Sequence, residues 1–76
     1  MREKILQVVA DVFEINIAEI PENASPGVIA NWDSLRHMNL IVALEEEFKI
    51  TFNDNDIPEL ITIPLIEAII KELLPK

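Results

Sequence analysis

Apolar residues recur at helical spacing in three stretches of this chain, and with 76 residues each of those stripes has to contribute to the core. Ile5, Val8, Val9, Val12 and Phe13 fall at i, i+3, i+4, i+7 and i+8, one face of a first helix. Leu40, Ile41, Leu44 and Phe48 continue one stripe along a second helix that starts near Ser34. Ile66, Ile69, Ile70, Leu73 and Leu74 repeat the first pattern near the C-terminus. The isoleucines of LITIPLIEAII have strand propensity, but Pro64 argues against an interior strand position. It fits instead the first turn of a helix capped by Thr62. The length allows one domain, 1–76, that buries only roughly 60% of its unfolded surface. Cysteine is absent, so neither a disulfide nor a thiolate zinc site supplements the core.

Between the first two helices runs NIAEIPENASPGVIANW, with Pro21, Pro26 and the one glycine, Gly27. This is long for a loop in a compact domain, and such loops are usually functional or packed down. Ile17, Ile20, Val28 and Ile29 are the residues expected to pin it to the core. The segment NDNDIPEL reads as one short helical turn leading into the last helix. The expected fold is all-α: a small antiparallel four-helix bundle, three long helices and one short, with a long first loop.

Fourteen acidic residues against six basic ones give a net charge of −8. That field repels a phosphate backbone, which needs clustered Lys and Arg, so no nucleic-acid partner is expected. It attracts proteins with basic patches and speeds their encounter. No apolar run approaches the ~20 residues of a membrane span, and Gln7, Asp11 and Glu14 interrupt the N-terminal stretch that a signal peptide would need. The expectation is a cytoplasmic monomer that does not insert into membranes.

No catalytic or metal site is expected. Asp33, Ser34 and His37 have the residue types of a triad, but a triad is defined by geometry, and nothing here supplies oxyanion donors. His37 reads as a partly exposed helix residue. Asp54 to Asp56 begin like a calcium loop yet lack the glycine at position six and the glutamate at twelve. Glu45, Glu46 and Glu47 read as a solvated helix face. Ser34 is different. Either Asp33 or Ser34 is the N-cap of the second helix. A helix N-terminus also stabilises an attached phosphate through its free N–H groups and positive dipole end. A phosphodiester on Ser34 would therefore lie in a favourable field.

The segment WDSLRHMNLIVALEEEFKITF resembles the phosphopantetheine-attachment region of acyl carrier proteins. The Asp-Ser-Leu, the apolar helix after it, ALEEEF and the acidic turn DNDIPEL follow one another in that family's order. Length, acidity and the lack of cysteine agree, so the resemblance spans essentially the whole chain. It implies a carrier rather than an enzyme. Ser34, within Asp33-Ser34-Leu35, would bear 4′-phosphopantetheine transferred from coenzyme A by a magnesium-dependent phosphopantetheinyl transferase. The thiol of that arm would hold acyl groups as thioesters for a loading ligase or acyltransferase and for downstream transferases.

A second apolar line, Leu35, Met38 and Val42, is displaced around the helix from the stripe through Leu40, Ile41 and Leu44. Beside an acidic run it suits a transient docking face; covering the long loop is the structural alternative. The resemblance makes Leu35 and the helix after it the part that partners grip, giving a docking set of Leu35, Arg36, Met38, Asn39, Val42, Glu45 and Glu46. Carriers of fatty acid synthesis usually have glycine before Asp-Ser-Leu and acids where Arg36 and Asn39 stand. Trp32, Arg36, His37 and Asn39 thus point to a stand-alone carrier with dedicated partners, in a specialised lipid, polyketide-like or surface-polysaccharide pathway. An aminoacyl carrier is one alternative. An acidic helical interaction module in which Ser34 only caps is the other.

Overall fold

A computed structural model describes residues 1–74. Three α-helices carry the fold, α1 (Arg2–Phe13), α2 (Ser34–Phe48) and α3 (Ile63–Leu73), and no strand occurs among the described residues. The short fourth element is a single 3-10 turn, Ile57–Glu59, which Pro58 can enter because the first helical turn needs no donor there. A second 3-10 turn, Ile17–Glu19, lies in the long first loop and has no counterpart in the sequence pattern.

α1 and α2 run antiparallel: Lys4 near the start of α1 pairs with Glu47 near the end of α2, while Arg36 in the first turn of α2 reaches Val12. α1 also packs on α3, and Arg2 is joined to Glu67 there by an ion pair of 2.8 Å. The three apolar stripes meet in one cluster. Ile5, Val9 and Phe13 of α1, Leu40 and Leu44 of α2, and Ile66 and Ile70 of α3 are fully or almost fully buried, joined by Phe52 and Leu60 from the last loop. Thr62 caps α3, its Oγ1 accepting from Leu65 N at 3.3 Å, with Pro64 in the first turn. Leu74, expected to continue α3, has extended backbone angles and ends it.

The long loop is pinned differently from the expectation. Ile29 is buried and Ile20 half-buried, but Ile17 and Val28 are exposed. Ala24, Ile29 and Trp32 hold the loop to the core instead. Val28 N and Ile29 N both donate to Ser25 O, and in so tight a turn adjacent side chains diverge, so only one of the two faces inward.

α1 and α2 both end on a residue in the left-handed region, Glu14 (φ 57°) and Lys49 (φ 56°), where glycine is the usual choice. At each end two successive N–H groups converge on one carbonyl, Glu14 and Ile15 on Ala10 O, Lys49 and Ile50 on Glu45 O. After the second, the Glu45 carboxylate accepts from Phe52 N at 2.8 Å and turns the chain back under the helix.

Candidate functional site around Ser34

The start of α2 is built from five consecutive residues. Asn31 donates from Nδ2 to Phe13 O (3.2 Å), tying the end of the loop to the last turn of α1. Trp32 is buried, its ring 4.9 Å from that of Phe13 at an interplanar angle of 35°. Asp33 is the N-cap: its Oδ1 accepts from Arg36 N at 2.8 Å, and its carbonyl accepts from His37 N at 2.8 Å. Ser34 is thus the first residue inside the helix, exposed, with a hydroxyl that is not spent on capping. The two alternatives left by the sequence resolve to Asp33. By the geometry of any helix start, the Ser34 and Leu35 N–H groups lack a carbonyl partner within the helix and face outward at the positive end of its dipole.

Trp32 and His37 occupy the positions immediately before the cap and four residues after it, where an apolar pair commonly clamps the chain onto the helix. Here the pair is aromatic and hydrogen-bonded. Trp32 Nε1 donates to His37 Nδ1 at 3.0 Å, and the other ring nitrogen, Nε2, lies 2.8 Å from Ile57 O. An indole N–H can only donate and a carbonyl only accept. The network therefore assigns His37 as the neutral ring with its proton on Nε2. The ring is half-buried and joins the loop before Ser34 to the 3-10 turn opposite.

Trp32, Ser34, His37 and Met38 on one side and Ile57, Pro58 and Ile61 on the other line an open, mostly apolar groove of about 580 Å³. Leu35, Met38 and Val42 are 71%, 48% and 51% exposed, so the second apolar line faces out of the bundle. Met38 borders the groove, and Leu35 projects beside Ser34.

Two members of the expected docking set are engaged within the chain. The Arg36 guanidinium turns to the end of α1, donating from Nη1 to Val12 O at 2.6 Å and pairing through Nη2 with Glu14 at 3.3 Å. The last carbonyls of a helix lack partners and form its negative end, so a cation has better company there than in solvent. Glu45 is half-buried, its carboxylate held by Phe52 N. Asn39 and Glu46 are exposed together with the apolar line. The sequence reading missed the Trp32–His37–Ile57 chain. Its local half was signalled by the spacing of Trp32 and His37 about the cap; its partner across the groove was not.

No family model matches the chain. It is similar to the acyl carrier protein of Buchnera aphidicola subsp. Schizaphis graminum, 35% identical over 63 residues that cover 83% of this chain and 80% of that one. It is also similar to the acyl carrier protein of Thermosynechococcus vestitus, 36% identical over 61 residues that cover 80% of this chain and 75% of the other.

Proposed function

The chain belongs to the acyl carrier protein family, and from that membership and the surroundings of Ser34 we propose that it carries acyl groups as thioesters on a 4′-phosphopantetheine arm attached to the Ser34 hydroxyl. Its family carries groups rather than transforming them. The observation behind the site is the division of labour at the start of α2: Asp33 caps, which leaves the exposed Ser34 oxygen available for modification. The chemistry of the surroundings fits the group. A phosphodiester at Ser34 would meet the unpartnered first-turn N–H groups and the positive end of the dipole. The arm's terminal thiol supplies the reactive sulfur that a chain without cysteine lacks. Leu35 and Asp33 flank the serine, one offering an apolar contact to an incoming enzyme and the other holding the helix start in place.

The partners implied are a phosphopantetheinyl transferase, a loading ligase or acyltransferase, and the transferases that take the cargo onward. Their docking face is Leu35, Met38, Asn39, Val42 and Glu46; Arg36 and Glu45 shape it from behind. The pathway we favour is a specialised one, in lipid, polyketide-like or surface-polysaccharide synthesis, because Asn39 offers a neutral amide where fatty-acid carriers present an acid. Among the described residues no helix is long and apolar enough to cross a membrane. In the alternative, an acidic interaction module with no prosthetic group, Ser34 would stay unmodified, and intact mass separates the two readings.

Intact mass decides the matter. With coenzyme A, magnesium and a broad-specificity transferase, the protein should gain one phosphopantetheine mass. Ser34→Ala should gain none while its unfolding free energy stays within about 0.5 kcal/mol of the parent, because the removed hydroxyl neither caps nor packs. Modification persisting in Ser34→Ala would remove Ser34 from the role.

A further inference from the structure

We propose that His37 is a positioning residue for the Ser34 site and a pH-sensitive one: neutral, it ties the segment before Ser34 to the Ile57–Glu59 turn across the groove, and protonation at Nδ1 breaks that tie. The two bonds of the ring, 3.0 Å to Trp32 Nε1 and 2.8 Å to Ile57 O, use one acceptor and one donor nitrogen. A proton taken from solvent at Nδ1 sets two N–H donors against each other, and no rotation of the indole turns its N–H into an acceptor. Trp32 is buried against Phe13 and cannot readily retreat. The half-buried imidazolium is therefore the partner that moves, out of contact with Trp32 and into the groove.

The charged groups around it leave that path open. Asp33 lines the same groove from the cap of α2. Asp56 and Glu59 flank Ile57 on the opposing turn. On His37's own helix the adjacent cation, Arg36, is directed to Val12 and Glu14 at the end of α1, and α1 presents the uncharged Phe13 ring on the Trp32 side. Pro26 and Ile61 close the remaining sides with apolar surface. The released cation meets carboxylates rather than another positive charge. Losing the tie frees the turn from the start of α2, so the open groove beside Ser34 has fixed walls while the ring is neutral and loosened ones once it is protonated.

The chain has one tryptophan and one histidine, so both ends of the tie report separately. The test uses unmodified full-length protein in the Ser34→Ala background, which keeps its outcome independent of whether Ser34 carries an arm. Nitrogen-detected NMR of the ring at about pH 8 should show a protonated Nε2 and a bare Nδ1. On acidification, Trp32 emission and its indole N–H resonance should shift in one step with ring protonation, while far-ultraviolet dichroism holds. His37→Gln should abolish the emission step. A proton on Nδ1 at neutral pH overturns the proposal, as does an emission step that survives in His37→Gln or fails to coincide with ring protonation. If His37→Gln does not fold, the parent's tautomer and the coincidence of its two titrations decide the same question.

Discussion

Arg36 stands two positions after Ser34, yet its charge belongs to the other end of the neighbouring helix. The guanidinium donates to the C-terminal carbonyl of Val12 in the half-buried seam between α1 and α2, and pairs with the exposed Glu14 at its edge. Arg36→Ala should lower stability by about 1.5–3 kcal/mol in urea unfolding, the usual worth of a hydrogen bond to a charged group. Arg36→Asp should be worse, since it would place a carboxylate against a carbonyl and Glu14. An acid at that position therefore mixes stability with recognition, and Asn39→Glu is the cleaner probe of partner choice. It is exposed, so stability should hold, while loading by a malonyl transferase of general fatty acid synthesis should improve at low salt and lose the gain as salt rises. No gain at low salt would mean Asn39 does not keep that synthase away.

Within α2, one helix serves two surfaces, and truncation separates them. Leu44 is fully buried among Leu40, Ile41 and the stripes of the other helices, so Leu44→Ala should cost roughly 2–5 kcal/mol through lost transfer energy and a residual cavity. Met38 is about half exposed at the groove. Met38→Ala should shift the unfolding midpoint little and instead slow arm transfer to Ser34. If it unfolds the protein as Leu44→Ala does, Met38 is core and the docking stripe is wrong. The helix end offers a gain. Lys49 sits at φ 56°, a conformation that strains an L side chain, and Lys49→Gly should raise stability by about 0.5–1 kcal/mol in thermal or urea unfolding. The same element shows what was legible beforehand: the 3.6-residue period marked Leu40, Ile41 and Leu44 as core and set Leu35, Met38 and Val42 apart. Glu45, by contrast, looked like one more solvated acid until the chain beyond α2 brought Phe52 N to it.

Across the molecule, ion pairs stitch α1 to its neighbours: Arg2 to Glu67 of α3, Lys4 to Glu47 of α2, and Glu14 to Arg36. The Arg2 guanidinium holds the Glu67 carboxyl below the usual carboxylate range, chiefly through its hydrogen bond; desolvation opposes this, and the nearby charges of Arg2 and then Lys71 add smaller lowering effects. A carboxyl whose value is lower folded than unfolded binds fewer protons in the native state. Its stabilisation is present at neutral pH and is lost as pH falls through the lowered folded value. Unfolding measured across the acid range should show Glu67→Gln with a shallower acid limb than the parent; identical limbs would mean the pair does not hold in solution.

Periodicity, capping chemistry and proline placement determined the three helices, the start of α2 next to Ser34 and the cap at Thr62, because each is a local property of a few neighbouring residues. The family motif around Ser34 was legible for the same reason. Tertiary structure decided which polar groups serve the fold and which face outward. Arg36 meets Val12 across 24 positions and His37 meets Ile57 across 20, and no local pattern encodes either meeting. Val28 was turned outward and Ile29 inward by a loop turn, although both are apolar. A side chain's partners across the bundle depend on how helices dock, and that docking is settled only when the whole apolar cluster closes.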